Sequence, residues 1–215
     1  VFRVEQTQMG RQCEFHQAGV ELMGSERPAA DAEIISLAIA SVLACGIKDF
    51  QIHMGQVDFL DGLLSYFEID EQRQREIKSA IERHNFVLMD SLIDALPLSE
   101  QDRGMLKELP LLNGREELLR RLYDFPRNEQ SRRAIDNLAE IYALLKSYGV
   151  TDYVRFDLGI IRDFNYYTGM VFEGYSPGLG FPLCGGGRYD RLLTEYGHPM
   201  SATGFALGME RILLK

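Results

Sequence analysis

Arg3, Glu5, Arg11, Gln17 and Glu21 all carry odd numbers, and on regular strands that parity places several of them on one sheet face. Such a face joins guanidinium groups, whose planar forks grip an oxyanion at two points, to a carboxylate suited to an ammonium group. The same spacing also fits a solvated polar sheet face. A second cluster, Arg162, Tyr166 and Tyr167, stands between two stretches of strand-like alternation. Together with Asn165 it suits a pocket for a carboxylate and an imidazole, and equally a loop whose tyrosines cap the core. Gly185-Gly186-Gly187-Arg188 lacks the spacing of a dinucleotide or Walker loop and marks turns or close backbone approaches. His16, His53, His84 and His198 are scattered without a His-x-x-x-His pair, so they read as surface or strand residues and not as metal ligands. No Ser or Cys has the local signature of a nucleophile, and no catalytic residue is assigned.

Strands and helices must hold these groups. Phe2 to Glu5 and Glu14 to Met23 flank a polar turn at Gln8-Met9-Gly10-Arg11 and read as a β-hairpin. Pro28 opens a helix whose Ile34, Ile35, Ala38, Ile39, Val42 and Leu43 share one side, and Gly46 suits its exit. Phe50, Ile52 and Met54 alternate with Gln51 and His53 as a strand. From about residue 58 to 127 the texture is charge-rich and helical, divided by Pro97, Pro110 and Pro126, with Ser99 ahead of Asp102 as a helix start. A longer helix runs from about Glu129 to Tyr148 and ends at Gly149. Val154, Phe156 and Leu158 then alternate as a strand, and a second β-rich run covers Thr168 to Tyr175. Tyr189 to Tyr196 and Gly204 to Leu214 carry helix-like apolar spacing. The expected class is α+β, an antiparallel sheet flanked by helices, with a core of 1–57 and 128–215 interrupted by a helical insertion at 58–127.

With 215 residues, 46% of them hydrophobic, the chain can fill one large core or one core with an insertion. Its formal charge of −9 gives no footprint for phosphate polymers, so neither DNA nor tRNA is the expected partner of the surface as a whole. Three cysteines at wide spacing suggest neither a disulfide framework nor a thiolate zinc site and fit a reducing cytoplasm. No apolar run reaches the length of a membrane span, and no signal peptide is visible. The chain opens on a strand-like Val1 to Val4 without an initiator Met, which reads as a piece of a longer protein.

Three separated motifs, in order, resemble the histidyl-tRNA synthetase family of class II synthetases. Phe2-Arg3-Val4-Glu5 through Glu14-Phe15-His16-Gln17-Ala18-Gly19-Val20-Glu21 is similar to the motif 2 hairpin. Arg162 to Gly169, continuing into Cys184-Gly185-Gly186-Gly187-Arg188-Tyr189-Asp190, resembles the histidine-specific segment. Gly204-Phe205-Ala206-Leu207-Gly208-Met209-Glu210-Arg211 is similar to motif 3. The resemblance implies that Gln17 and Glu21 meet the amino end of histidine, Tyr166 and Tyr167 its imidazole and pocket wall, and Arg162 its carboxylate. It places Arg3, Glu5, Arg11 and Arg211 at a residual phosphate and nucleotide surface.

Several positions depart from the synthetase pattern. Gln6 and Cys13 stand where guanidinium groups are expected, which weakens a triphosphate site. Asp163 replaces a Gly and Asn165 replaces an Asp beside Arg162, adding a carboxylate that opposes an incoming anion. With the Gly174 to Pro182 stretch, these changes resemble the ATP phosphoribosyltransferase regulatory-subunit branch of the family. That branch implies a cytoplasmic, non-catalytic subunit without cofactor or metal. It would self-associate through its core, join a short catalytic subunit and bind L-histidine for feedback. The alternative is a catalytic-core fragment of a histidine–tRNA ligase, which would use ATP with Mg2+. A stand-alone histidine sensor is a third reading.

Overall fold

The computed structural model describes residues 1–2, 13–160 and 166–215. Along the chain the elements are β1 (Gln17–Met23), α1 (Pro28–Ala44), β2 (Gln51–Gln56), α2 (Val57–Tyr66), α3 (Glu71–Glu82), α4 (Phe86–Asp94) and α5 (Glu100–Glu108). There follow β3 (Asn113–Gly114), α6 (Glu116–Leu122), α7 (Glu129–Ser147), β4 (Val154–Asp157) and β5 (Met170–Tyr175). The chain closes with β6 (Cys184–Arg188), α8 (Leu192–Glu195), β7 (Ala202–Gly208) and α9 (Met209–Leu213). These elements form two compact units, one of residues 1–53, 141–154 and 172–215, the other of 54–140 and 155–171. The class is α+β, as the alternation of the two periods in the sequence implies.

In the first unit the strand order is β1-β7-β6-β5-β2. β1 and β7 run antiparallel with Gln17 opposite Gly208 and Glu21 opposite Gly204, and β6 pairs antiparallel with β7, Gly186 opposite Phe205. Directly opposed residues share a face, so the register sorts the side chains cleanly. One face collects Val20, Phe205 and Arg188 and receives α1, whose Ile34, Ile35, Ala38, Ile39 and Val42 are fully buried. Burying each of these larger aliphatic side chains contributes about 1.5–3 kcal/mol, and a charged residue at Ile39 would break the layer. Pro28 begins α1 without loss of a needed N–H, and Gly46 leaves it at φ +86°, where a side chain is strained.

The second unit holds α2 to α6. Three of these helices start on a local cap: Asp70 accepts from the Arg73 N–H, Asn85 from Leu88 and Ser99 from Asp102. Ile77, Ala80 and Ile81 of α3, Met89 and Ile93 of α4 and Leu106 of α5 form its interior. Pro110 falls in a single 3-10 turn, Leu109–Leu111, that ends α5. β3 pairs with β4, Asn113 opposite Asp157, a two-residue strand inside a stretch read from sequence as helical. Two residues are too few to show a period of two.

Three expectations are corrected. Gly204 to Leu214 was expected to be helical, but Ala202–Gly208 is strand β7 and only Met209–Leu213 is helical. One face of β7 carries only Ala202, Gly204, Ala206 and Gly208, so no polar row alternates with Phe205 and Leu207 to reveal the strand period. Gly185-Gly186-Gly187 is not a turn but the middle of β6, and the close approach it signals is real: a Cβ on Gly186 would lie 2.1 Å from the Gly204 carbonyl oxygen. The helix expected over Tyr189 to Tyr196 shrinks to the four residues of α8. Of the expected N-terminal hairpin, Glu14 bridges Phe2 antiparallel and the Val1 amino group donates to the Phe15 carbonyl at 2.8 Å. Its Gln8 to Arg11 turn lies outside the described residues.

Candidate functional site

The sheet face opposite α1 has an unusual floor. Gln17, Gly19 and Glu21 of β1 stand opposite Gly208, Ala206 and Gly204 of β7, and β6 continues the two inner rows with Gly185 and Gly187. Across three strands only Gln17 and Glu21 rise above glycine and alanine on these rows. The low floor leaves room for a small ligand whose polar end meets an amide and a carboxylate. The predicted pairing of Gln17 and Glu21 on one face is therefore observed.

Glu21 does not wave freely. Its Oε2 accepts a hydrogen bond from the Tyr189 hydroxyl, and Tyr189 is only 4% exposed. The carboxylate lies down across β7, so close that a Cβ on Gly204 would sit 1.8 Å from Oε2. Tyr189 and Gly204 are thus parts of the site that sequence reasoning assigned no role. Their signal was present, since Tyr189 stands within the quoted Gly185 to Asp190 run and Gly204 opens the motif 3 stretch. An ionised carboxylate with one donor satisfied retains acceptor capacity for an ammonium group.

A buried ion cluster on the α1 side fixes the strand ends that carry Tyr189 and Gly204. Arg188 donates from Nε to Asp31 Oδ2 at 3.0 Å and from Nη1 to the Ser25 carbonyl at 2.9 Å and to Asp190 Oδ1 at 3.0 Å. Its Nη2 lies 2.9 Å from Asp31 Oδ1 but aims at the Arg27 carbonyl, so that second contact is an ion pair without good hydrogen-bond direction. Asp31 is 0% exposed, and burial pushes its carboxyl above the usual carboxylate range while Arg188 pulls it back. Asp190 also accepts from the Ala202 N–H at 3.0 Å, tying β7 to the same cluster.

Arg211, expected at a nucleotide surface, extends from α9 over the ring of Phe181, 5.3 Å from guanidinium carbon to ring centroid, and donates to the Pro182 carbonyl at 2.8 Å. His16, read as a surface or strand residue, is exposed yet anchored: Nδ1 lies 2.8 Å from Glu210 Oε1 and its backbone N–H donates to the same carboxylate. That pairing holds the Glu210 carboxyl below its ordinary range. Tyr166 and Tyr167 belong to the second unit, half-buried, with rings edge to face at 4.7 Å. Arg3, Glu5, Arg11 and Arg162, with Gln6, Asp163 and Asn165, lie outside the described residues. Among the described residues no group of three or more His, Cys, Asp or Glu side chains could hold a metal ion.

The family model for histidyl-tRNA synthetase matches residues 1–212. A protein of Desulforamulus reducens named ATP phosphoribosyltransferase regulatory subunit is 41% identical over 214 residues, covering 100% of this chain and 53% of that protein. Other curated relatives of the same name match at 36–43% identity, and the chain spans about half the length of the relatives it matches. The crystal structure of an ATP phosphoribosyltransferase regulatory subunit/histidyl-tRNA synthetase from Bacillus halodurans C superimposes with a TM-score of 0.92 at 36% identity, covering 99% of this chain and 55% of that one. A chain of an ATP phosphoribosyl transferase (HisG:HisZ) complex from Thermotoga maritima shares the fold, with a TM-score of 0.70 at 15% identity over 90% of this chain and 66% of its own length. The order of motifs, the small-residue floor beneath Gln17 and Glu21 and the match over nearly the whole length agree, and the chain belongs to the histidyl-tRNA synthetase family.

Proposed function

We propose that this chain is part of a non-catalytic regulatory subunit of ATP phosphoribosyltransferase, which joins the catalytic subunit at the first step of histidine biosynthesis and lets histidine restrain it. The observation that carries this reading is the identity of 36–43%, over essentially the whole chain, to relatives that bear that name. The site geometry supports it. Gln17 and Glu21 over a floor of small residues suit the ammonium end of L-histidine. The family resemblance, and not the geometry, gives Tyr166 and Tyr167 the imidazole, Arg162 the carboxylate, and Arg3, Glu5, Arg11 and Arg211 a residual nucleotide surface. The protein acts in the cytoplasm without a cofactor, self-associates through its synthetase-like core, and carries 58–127 as a helical insertion between 1–57 and 128–215.

Feedback then means that histidine binds two states of the assembly with different affinity. Full-length protein added to the purified catalytic subunit should raise the rate of phosphoribosyl transfer to ATP, and histidine should lower the raised rate. An unchanged rate overturns the proposal.

A second reading, a histidine–tRNA ligase core using ATP and Mg2+, is favoured by the retained pairing of Gln17 with Glu21 and by Arg211. Histidine-dependent exchange of pyrophosphate into ATP by the full-length protein decides between them, since only the ligase supports it.

A further inference from the structure

The segment between β5 and β6 is strapped down at both ends by one short stretch of chain. Near its start Ser176 Oγ donates to the Asp49 carbonyl at 2.6 Å, and the Pro177 carbonyl accepts from Lys215 Nζ. Near its end the Pro182 carbonyl accepts from Arg211, and Leu183 closes the loop by donating to the Gly174 carbonyl at 2.7 Å. Arg211 lies within α9 and Lys215 two residues past its end, so one short stretch of chain holds both ends. Between them Gly178 takes φ +82°, and a Cβ on Gly180 would meet nothing within 4 Å.

Phe181 is the payload of this strap. Its ring lies under the Arg211 guanidinium at 5.3 Å, within the range of cation–π attraction, while the Pro182 carbonyl takes one of the guanidinium donors. A guanidinium that offers a flat face and several N–H groups recognises ligands that combine an aromatic ring with an anionic group, and a purine nucleotide does so. In this structure both offers are taken by residues 181 and 182.

We propose that the 176–183 loop is an intramolecular lid, with Phe181 standing in for a nucleobase on Arg211, so that a purine nucleotide binds only when the strap lifts. This deepens the nucleotide reading of Arg211 and rests on it. The apparent affinity for a nucleotide is then the intrinsic affinity reduced by the fraction of molecules with the lid open. Weakening the strap raises that fraction without adding a contact to the ligand.

The test measures binding of ATP and of AMP to full-length protein by calorimetry. Phe181→Leu should bind about tenfold more tightly than wild type, and Phe181→Leu with Arg211→Met should lose the gain. Lys215→Met, which loosens the other end of the strap without touching the ring, should gain in the same direction by about threefold and stands in if Phe181→Leu does not fold. Equal affinity of wild type and both single variants, nucleotide binding by none of them, or a gain that survives loss of Arg211, overturns the lid. Histidine binding and stimulation of the catalytic subunit, measured on the same samples, report separately on the regulatory reading.

Discussion

Arg188→Met is the most informative substitution in the first unit. Arg188 is 6% exposed, and its guanidinium faces a fully buried Asp31 carboxylate, the Ser25 carbonyl and Asp190. Removing one partner of a buried pair leaves the other as an uncompensated charge, at a cost of about 3–5 kcal/mol. That is a large share of the roughly 5–15 kcal/mol that holds a domain folded. The loss should depend on pH in a definite sense. Burial already raises the Asp31 carboxyl above its unfolded value of 3.8, against the lowering influence of Arg188. A group raised in the folded state contributes stability below its unfolded value and loses it as pH rises through its folded value. Without Arg188 the lowering influence is gone and the carboxyl rises further. Arg188→Met should therefore be less destabilised at about pH 5 than at about pH 8, measured by denaturant unfolding of the full-length protein. Asp31→Leu with Arg188→Met should recover much of the loss, since no buried charge remains. A variant within about 0.5 kcal/mol of wild type at both pH values, or a double variant no more stable than the single, would refute the reasoning.

Glu21→Gln and Tyr189→Phe should each weaken histidine binding, by about tenfold or more, since a hydrogen bond to a charged group contributes about 1.5–3 kcal/mol; calorimetry with the folded variants checks this. Gly204→Ala should also weaken it, because its Cβ would fall 1.8 Å from Glu21 Oε2 and push the carboxylate off the floor, and at 2.7 Å from the Val20 carbonyl oxygen it should lower the melting temperature as well. Gly186→Ala should lower the melting temperature more, because there the new Cβ meets only neighbouring-strand residues, the Gly204 carbonyl at 2.1 Å and Phe205 at 2.8 Å. Glu210→Gln should remove a contribution present above the unfolded carboxylate value and lost as pH falls, since His16 holds the Glu210 carboxyl below its ordinary range; the difference in melting temperature between variant and wild type should shrink in acid.

Local chemistry was legible wherever a single residue decides an outcome. Pro28 and Gly46 bound α1, Ser99 caps α5, and Gly149 at φ +71° follows α7. The pairing of Gln17 with Glu21 followed from parity alone. What the sequence hid was decided between segments far apart. Asp31 and Arg188 are 157 positions apart, Glu21 and Tyr189 are 168, and nothing in either neighbourhood names the other. The helix-like spacing of Gly204 to Leu214 misled because one face of β7 is only glycine and alanine, which leaves no polar row to mark the alternation. Cys184 shows the same effect on a smaller scale: it is buried against Gly174, whose missing side chain makes space for the sulfur, a reason for a glycine that no turn would supply.

The central claim is that this family member regulates a partner instead of charging tRNA. The direct measurement puts the full-length protein into two assays side by side: phosphoribosyl transfer to ATP by the catalytic subunit, with and without histidine, and histidine-dependent exchange of pyrophosphate into ATP. A regulatory subunit should stimulate the first, with histidine reversing the effect, and show no exchange in the second. Robust exchange with no effect on the phosphoribosyltransferase would contradict it.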